Sequence, residues 1–347
     1  RFRNADVSPN SQKIGGEVNY KKTIIYLILL SSFQLTIYAN DTQANESREV
    51  IKLELIEELV TQHGFDEQYI TAIFEKVTYL PKIIDNISKP AEKTKTWNEY
   101  RGIFFTPARI AAGVIFAKQH ETLLLKAAQE TGVPTHVILG ILGVETYFGR
   151  IQGNYKVIDS LYTLVTGYPP RSAFFKKELI NLFYLAREQG IAIGEIKGSY
   201  AGAMGAAQFI PSSYRAYAVD GDNDGIIDLF ENWNDIVMSI ANYLQQNGWR
   251  RNEDIISQTS LDDEQLKTFA SKALKPQYTI EILNNNGINF ENNLNNDSPA
   301  QIILLEGDVK KTYVGFHNFY VITTYNRNVM YALSVIQVGR SIQSKTL

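Results

Sequence analysis

The chain has 347 residues, which is enough for two or three compact units. Its formal net charge of −3 and the absence of a basic block argue against nucleic acid as the main partner. Cysteine is absent, so no disulfide framework holds the fold together.

Residues 19–40 have the pattern of an export signal. Lys21 and Lys22 precede a short apolar run, and a more polar stretch then ends at Ala39. A charged start, an apolar centre and a small final residue are typical of a cleavable signal peptide, and the run is too short for a confident bilayer span. We predict cleavage after Ala39 and a periplasmic mature chain with no transmembrane domain and no cysteine for acylation. Residues 1–16 do not resemble such a signal, so translation from Val18 is one interpretation.

Apolar residues recur at helical spacing through much of the chain. The pattern predicts two helices within 49–77 and one that runs from Thr106-Pro107 to about 132. Further helices are predicted to start at 158 and to span 172–189 and 231–249. Thr106 and Pro107 are typical of a helix start, because a capping hydroxyl precedes a proline of the first turn. Pro81 and Pro90 predict irregular backbone over 78–97, with at most a short helix.

The composition changes after Arg250. Short apolar or alternating runs at 278–283, 300–305 and 312–316 predict strands of a small sheet. Residues 254–273 resemble a polar helical piece, and the Asn-rich segment 284–297 resembles a long loop. A final helix is expected over about 328–344. The predicted fold class is therefore α+β, mainly α, with a small β-rich insert.

The segment from Gly132 to Gly149 is apolar on almost every helical face and predicts a buried helix. Its one ionisable side chain near the C-terminal end is Glu145. A carboxyl group in that position either finds a partner or has its pKa raised by desolvation, and a raised pKa suits acid catalysis at neutral pH. A Glu on the exposed edge of the last turn is the alternative. For a second acid, Asp159 and Glu178 are nearest on the core helices, and neither is a convincing nucleophile.

An aspartate-rich segment follows at 220–231. Its spacing fits a calcium loop of the EF-hand type, and clustered carboxylates need a hard cation to neutralise their repulsion. The residues that this spacing assigns as ligands are Asp220, Asp222, Asp224, Ile226 through its carbonyl, and Glu231 at the twelfth position. An exposed Asp-rich turn without metal is the alternative.

Four motifs in one order carry a resemblance to a known family. They are Val144-Glu-Thr-Tyr-Phe-Gly149, the run from Gly198 to Tyr214 with Gly-Ala-Met-Gly-Ala-Ala-Gln, the Asp-rich loop, and Phe319-Tyr-Val-Ile-Thr-Thr-Tyr-Asn326. Together they resemble the membrane-bound lytic murein transglycosylase B family over roughly 53–342. The resemblance implies a lysozyme-like helical core, an additional helical domain and the inserted β-rich domain. On this basis we divide the chain into a leader (1–39), a helical domain (40–105), a core (106–250), the insert (251–315) and a return to the core (316–347).

The resemblance also implies roles for single residues. Glu145 would act as acid and then as base on peptidoglycan glycan strands, forming 1,6-anhydro muramic ends. Substrate-binding positions would be Ser199, Met204, Gln208, Tyr243, Tyr325, Asn326, Tyr331 and Arg171, although Tyr331 could equally be a packing residue. Where the family commonly has two arginines after Tyr-Pro, Pro170 replaces the first, which puts the peptide preference in doubt. For the metal loop, the resemblance favours Asp235 over Glu231 as the closing ligand.

Three functions remain open at this point. They are a lytic transglycosylase, a muramidase that adds water, and a calcium-stabilised scaffold that binds murein without cleaving it. The first is preferred, because Glu145 keeps its family neighbours and no second acid is convincing. We expect a monomer that binds peptidoglycan strands, with cell-wall synthases as further candidate partners.

Overall fold

The computed structural model describes residues 43–89, 94–271, 273–305 and 311–346. The predicted signal segment lies outside these residues. The chain separates into two compact units, one ending at His63 and the other running from Gly64 to Leu347. In the first unit, residues 43–61 form helix α1, the earlier of the two helices expected over 49–77.

The second unit is mainly helical, as the periodicity predicts. Its helices in chain order are α2 (Glu67–Phe74), α3 (Pro81–Ser88), α4 (Trp97–Phe104), α5 (Pro107–Gln119), α6 (Glu121–Thr131), α7 (Thr135–Thr146), α8 (Val157–Gly167), α9 (Ser172–Gln189), α10 (Pro211–Tyr217), α11 (Trp233–Gln246), α12 (Asp263–Phe269), α13 (Ile280–Asn285), α14 (His317–Tyr325) and α15 (Val329–Gln343). Within the described ranges, no helix combines the length and the hydrophobicity that crossing a bilayer requires.

Two antiparallel sheets accompany these helices. Strands β1 (Tyr155–Lys156) and β2 (Lys197–Gly198) form a short ladder that ends directly before Ser199. Strands β3 (Ile256–Thr259), β4 (Tyr278–Thr279), β5 (Pro299–Leu305) and β6 (Lys311–Phe316) form a sheet in the order β3-β6-β5-β4. The strands expected at 300–305 and 312–316 are thereby confirmed. This sheet and its helices share a hydrophobic cluster made of Phe269, Ile280, Leu283, Ile288, Ala300, Ile302, Val314 and Phe316.

The helix predicted from Thr106 to about 132 is wrong in one respect, because it is interrupted at His120. The His120 ring packs against Phe116 and Trp233, with ring centroids 4.3 and 5.6 Å apart. Trp233 lies more than a hundred residues away in the chain. A tertiary contact therefore accompanies the break, and helical periodicity does not report such contacts.

Two predictions in the insert are also wrong. Residues 254–273 begin as strand β3 and become helical only at α12. The strand expected over 278–283 ends after Thr279, where α13 begins. The Thr279 hydroxyl accepts a hydrogen bond from the Ile282 N–H, which caps this helix and stops the strand.

Helices α7 and α15 cross at a distance that only glycine permits. A Cβ atom on Gly339 would lie 1.8 Å from the carbonyl oxygen of His136, and one on Gly140 would lie 2.1 Å from that of Val335. Any larger residue would have to displace the facing backbone. This crossing fixes the helix that carries Glu145 against the helix that carries Tyr331.

Candidate active site

Glu145 is the second-to-last residue of α7, and its side chain is half-buried. Most of the helix before it is buried, as the sequence predicts, so Glu145 does not stand in open solvent. The chain leaves α7 through Tyr147 and Phe148, whose φ angles of 54° and 58° lie in the left-handed region. Two successive non-glycine residues in that region cost conformational energy, and such strain concentrates at functional sites.

Thr146 joins the end of α7 to a second segment of the site. Its side chain is fully buried, and its hydroxyl donates to the carbonyl oxygen of Ala206 at 3.0 Å. The same hydroxyl accepts a hydrogen bond from the Gly149 N–H at 3.0 Å. The segment around Ala206 is therefore held directly beside Glu145. Sequence reasoning did not single out Thr146, although it directly follows Glu145 in the first motif.

The segment from Ser199 to Phe209, here called the glycine–alanine loop, begins with a tight turn. The Ser199 hydroxyl accepts hydrogen bonds from the N–H groups of Ala201 and Ala203 at 3.3 and 3.1 Å. Met204 and Phe209 pair through reciprocal backbone hydrogen bonds of 2.8 and 3.1 Å. Ser199 is half-buried, whereas Met204 is fully buried. Met204 thus supports the loop from inside, which differs from the binding role predicted for it.

Gln208 holds a left-handed backbone conformation, with φ of 52°, within this loop. Its side-chain amide donates to the carbonyl oxygens of Gln152 at 3.0 Å and Gly205 at 2.9 Å. Both amide hydrogens are used in this way. The amide oxygen is therefore the group with which this half-buried side chain can bind a ligand hydroxyl.

Tyr331 is the direct partner of Glu145. Its hydroxyl donates a 2.6 Å hydrogen bond to Oε1 of Glu145, and its side chain is 1% exposed. Burial, and then the charge of Glu145, raises the pKa of Tyr331 well above its ordinary value, so the phenol stays protonated and donates. Asn328 caps α15 by accepting from the N–H groups of Met330 and Tyr331. Tyr331 therefore positions Glu145 from within the core, which agrees with the packing alternative for this residue.

Aromatic side chains extend from Tyr331 along the site. The rings of Tyr325 and Tyr331 stack at 6.4 Å, and those of Tyr243 and Tyr325 meet edge-on at 4.8 Å. The Tyr325 hydroxyl donates to the carbonyl oxygen of Ala207 at 2.6 Å, which holds the glycine–alanine loop from a second side. Tyr243, Tyr325 and the adjacent Asn326 are all half-buried. The structure thus brings together residues that the sequence separates by up to 186 positions.

The Asp-rich loop gathers three carboxylates. Oxygens of Asp220, Asp222 and Asp235 lie within 4.8 Å of one another. Asp235 is fully buried and accepts hydrogen bonds from the N–H groups of Gly221 and Asp228, both at 2.7 Å. Burial raises the pKa of Asp235, those two N–H groups oppose the rise, and the charges of Asp222 and Asp220 add to it.

Two of the other predicted carboxylate ligands, Asp224 and Glu231, are exposed and are not part of this three-carboxylate group. The carbonyl ligand expected from Ile226 stays a prediction. Of the two candidates for the closing position, Asp235 is therefore the residue that the fold brings to Asp220. The oxygen-only donor set suits a hard cation such as Ca²⁺.

The Asp-rich loop is connected to the active-site segment. The Leu229 carbonyl oxygen accepts a 2.9 Å hydrogen bond from the Ala206 N–H. A Cβ atom on Gly205 would lie 2.2 Å from that oxygen, so glycine is required for this approach. The Tyr214 hydroxyl, whose pKa burial raises to about 12, donates to the Ile227 carbonyl at 2.7 Å. The conformation of the Asp-rich loop is thus coupled, through Leu229, to Ala206, which accepts the hydrogen bond of Thr146.

Comparison with known proteins shows the family to which this chain belongs. The family model of the transglycosylase SLT domain matches residues 49–340. The membrane-bound lytic murein transglycosylase B of Escherichia coli is 35% identical over 299 residues, covering 83% of this chain and 81% of that protein. This chain belongs to the lytic murein transglycosylase B family.

Solved structures of this family share the fold. Soluble lytic transglycosylase SltB1 from Pseudomonas aeruginosa is 41% identical, with a TM-score of 0.80 over 85% of this chain and 98% of that one. The Escherichia coli lytic transglycosylase SLT35 in complex with calcium is 34% identical, with a TM-score of 0.77 over 85% of this chain and 93% of that one. The α+β, mainly helical and lysozyme-like fold expected from the sequence is confirmed.

In this family member, the two other acids considered for catalysis have structural partners. Asp159 is buried and accepts the Thr78 N–H at 2.9 Å. Glu178 is buried and accepts both the N–H and the hydroxyl of Ser212 at 2.9 and 2.8 Å, which fixes the first turn of α10. Burial raises the pKa of Asp159, and the Thr78 N–H opposes the rise.

Arg171, the remaining predicted binding residue, is exposed, and its guanidinium carbon lies 4.2 Å from the Phe174 ring centroid. Asn328 was missed as a functional residue. Its signal was available, because an Asn directly before a helical periodic run is typical of an N-cap.

Replacing Tyr331 by Phe tests whether it positions Glu145. We expect kcat on peptidoglycan to fall about tenfold, because the lost bond joins a phenol to a charged group. Without that donor the carboxylate is less stabilised, so the alkaline limb of the pH–rate profile should move to higher pH. A purely structural role would lower the melting temperature and leave the pH profile unchanged. Melting curves and pH–rate profiles of both proteins separate these outcomes.

Proposed function

We propose that this chain cleaves the β-1,4 bond between N-acetylmuramic acid and N-acetylglucosamine in peptidoglycan and leaves a 1,6-anhydro ring on the muramic product. One observation carries the proposal. A half-buried Glu145, fixed by the Tyr331 hydroxyl, ends an apolar helix beside the glycine–alanine loop. Family membership indicates the reaction class, and the hydrogen bond from Tyr331 holds the carboxyl group of Glu145 in one orientation.

A single carboxyl group can serve both steps of this reaction. Glu145 first protonates the glycosidic oxygen while the muramic N-acetyl carbonyl oxygen stabilises the sugar cation. The resulting carboxylate then removes the proton of the muramic C6 hydroxyl, whose oxygen bonds to C1 and closes the anhydro ring. The Tyr331 hydrogen bond stabilises the carboxylate between the two steps. Ser199, Gln208, Tyr243, Tyr325 and Asn326 would bind the sugars.

The contacts of the other acids favour this scheme over hydrolysis. Glycosidases that add water commonly use two carboxyl groups across the scissile bond. Asp159 and Glu178 are each engaged by backbone N–H groups of neighbouring elements. Both carboxyls thus have structural partners, and Glu145 is the acid that the site presents.

Mass spectrometry of the released muropeptides tests the proposal. Digestion of purified sacculi should yield disaccharide peptides lighter by one water than those that a muramidase releases. Products at the hydrated mass would establish a muramidase instead. Sacculi that are bound but release nothing would establish a scaffold. A Glu145→Gln protein serves as the control for contaminating activity.

The location and partners follow from the substrate. We propose a periplasmic protein exported by the signal segment predicted at residues 19–40, which lies outside the described residues. Glycan strands are the proposed partner, cell-wall synthases are further candidates, and a monomer is expected. The domain boundaries given above stay a prediction.

We further propose that Ca²⁺ binds Asp220, Asp222 and Asp235 and has a structural role. The support is the buried carboxylate next to two others, the oxygen donor set, and a relative whose structure is a calcium complex. Bound Ca²⁺ would neutralise these charges and stabilise the Leu229 segment that holds Ala206. The ion would then support the site without taking part in the reaction.

Calcium removal should lower the melting temperature by about 4 °C, since saturation at a hundred times Kd stabilises by about 2.7 kcal/mol. Asp235→Asn should weaken calcium binding at least about tenfold by calorimetry, because it removes one buried negative ligand. Glu231→Gln is the matched control and should bind calcium like the wild type. If Glu231→Gln weakens binding and Asp235→Asn does not, the assignment of the closing ligand is reversed. No heat on calcium addition would overturn the site itself.

A further inference from the structure

A cavity of about 370 Å³ has a lining separate from that of the candidate active site. Its lining comes from α2 and the residues after it, from the junction of β1 and α8, and from the short 3-10 turn Ile193–Glu195. Among the described residues, it includes none of those placed in the active site. Volumes of about 300 to 1,000 Å³ are typical of small-molecule sites, so this cavity has the size of a site for one small ligand.

Asp159 lines the cavity and has a free acceptor. Its side chain is 7% exposed, and its Oδ1 accepts the Thr78 N–H at 2.9 Å. Oδ2 has no hydrogen-bond partner among the residues that the structure describes. Burial raises the pKa of Asp159, and the Thr78 N–H and then the charge of Lys156 oppose the rise. Because a buried carboxylate oxygen without a donor is unfavourable, a ligand that donates to Oδ2 would be stabilised here.

Three exposed charged side chains complete the polar part of the lining. Lys76 follows α2, Lys156 ends β1 and Glu195 ends the 3-10 turn. With Asp159 they provide two cations and two carboxyl groups, so the lining has no formal net charge. Within the part of the chain that the structure describes, none of these four groups forms an ion pair. Lysine only donates and carboxylate only accepts, whereas a hydroxyl does both, so the lining suits a neutral ligand with several hydroxyl groups.

The rest of the lining is mainly apolar. Ile73, Val77, Ile158 and Ile193 provide aliphatic surface, and the ring of Tyr69, a residue that is 46% exposed, adds an aromatic face. A sugar ring has hydroxyl groups around its edge and C–H groups on its faces. It therefore contacts apolar and polar lining at the same time, which few other neutral metabolites do.

The cavity shares supporting elements with the active site. Lys156 pairs with Lys197 in the β1–β2 ladder, and β2 leads directly to Ser199. Ser160, which follows Asp159, donates from its hydroxyl to the Ser199 carbonyl oxygen at 3.4 Å. A ligand in the cavity is thus held against the same elements that present the turn at Ser199.

We propose that this cavity is a second, non-catalytic saccharide site that takes an N-acetylhexosamine unit of a glycan strand. The inference rests on the proposed function, because peptidoglycan is built from such units. Oδ2 of Asp159 accepts from a sugar hydroxyl, the two lysines donate to sugar oxygens, and the aliphatic wall takes the acetamido methyl group. A second contact with the same polymer turns one of two binding events into an intramolecular one, so the site lengthens residence on sacculi.

Methyl NMR of the wild-type protein, labelled at isoleucine, tests the site without any cleavage. The probe is N-acetylglucosamine. The δ-methyl signals of Ile73, Ile158 and Ile193 should shift and reach saturation, because these side chains line the cavity. Binding of the same sugar in the active-site cleft would shift other signals, so the two sites are read separately.

A matched pair of variants fills the cavity or leaves it open. Gly194 lines the cavity, and an added Cβ there meets no atom within 4 Å, so Gly194→Trp places its indole in the space without displacing backbone. The three methyl signals should then no longer respond to the sugar. The KM on sacculi should rise about tenfold with kcat unchanged, since only the second contact is lost. Gly102→Trp is the control, because Gly102 is equally unhindered and lies outside the cavity lining.

Asp159→Asn tests the carboxylate. The amide oxygen can still accept the Thr78 N–H, but an amino group replaces the free acceptor. The Kd for N-acetylglucosamine at the three methyl groups should rise about tenfold, as expected for a lost hydrogen bond to a charged group. Melting curves verify that each variant is folded.

Four outcomes overturn the site. They are unchanged methyl signals in the wild type up to the solubility limit of the sugar, an equal response in Gly194→Trp, an unchanged KM of that variant on sacculi, and a response to glycine without one to the sugar. The last result would assign the cavity to zwitterions. Failure of the proposed function is distinguishable, because it is read from the mass of the released products and leaves the methyl shifts in place.

Discussion

Glu145→Gln should remove nearly all glycan cleavage while the protein stays folded, and we expect kcat to fall by about a thousandfold or more. General acid–base catalysis by one side chain contributes about a hundredfold to ten-thousandfold, and here one carboxyl group serves both proton transfers. The amide keeps the size of the side chain and can still accept the Tyr331 hydrogen bond, so packing at the end of α7 is preserved. Product release from sacculi and melting curves measure the two effects.

Glu178→Gln is the informative comparison. Glu178 is also buried, but its carboxylate fixes the first turn of α10 through the Ser212 N–H and hydroxyl. Its replacement should lower the melting temperature and leave turnover of the folded protein nearly unchanged. A Glu145→Gln protein with more than a few per cent of wild-type turnover would contradict the single-acid scheme. So would a folded but inactive Glu178→Gln protein.

Local signals explain how much of the fold the sequence could predict. The apolar periodicity of 132–149 correctly indicated a buried helix, while the exposure of Glu145 near its end was left open and is intermediate in the structure. Helix α9 matches the predicted range 172–189. The strands at 300–305 and 312–316 were found because β-rich runs stood between turn residues. Each of these features depends on residues that are neighbours in the chain.

The features that were missed depend on contacts between distant residues. The break at His120 is accompanied by packing on Trp233, and the helical periodicity around residue 120 gives no information about that distant ring. For Tyr331 the sequence left substrate contact and packing open, and the crossing of α7 and α15 buries it against Glu145, 186 positions earlier in the chain. Arg109 contacts the ring of Tyr147, which lies 38 positions later in the chain. Pattern reasoning therefore singled out Glu145 and Tyr331, but not the contact between them.

Adding one atom, a Cβ at position 339, to the crossing of α7 and α15 should change both stability and catalysis. A Cβ at position 339 would lie 1.8 Å from the His136 carbonyl oxygen and 3.4 Å from the Gly140 nitrogen, and both belong to the backbone of α7. Backbone cannot rotate away as a side chain can, so Gly339→Ala must push the two helices apart. We expect a loss of about 3 kcal/mol, at the upper end of the usual cost of overpacking. For a chain of this size that corresponds to roughly 4 to 5 °C in melting temperature.

Activity in Gly339→Ala should fall even below its melting temperature, since separating the helices lengthens the Tyr331 to Glu145 hydrogen bond. Gly102→Ala is the matched control, because Gly102 also lies within a helix and an added Cβ there meets no atom within 4 Å. That change should leave turnover unaltered and raise stability by up to about 1 kcal/mol, as alanine restricts the unfolded chain. Thermal unfolding measures the change in stability, and initial rates at 25 °C measure the change in turnover. Equal melting temperatures for Gly339→Ala and the wild type would mean that the helices can separate freely, and the positioning of Glu145 by Tyr331 would then need another explanation.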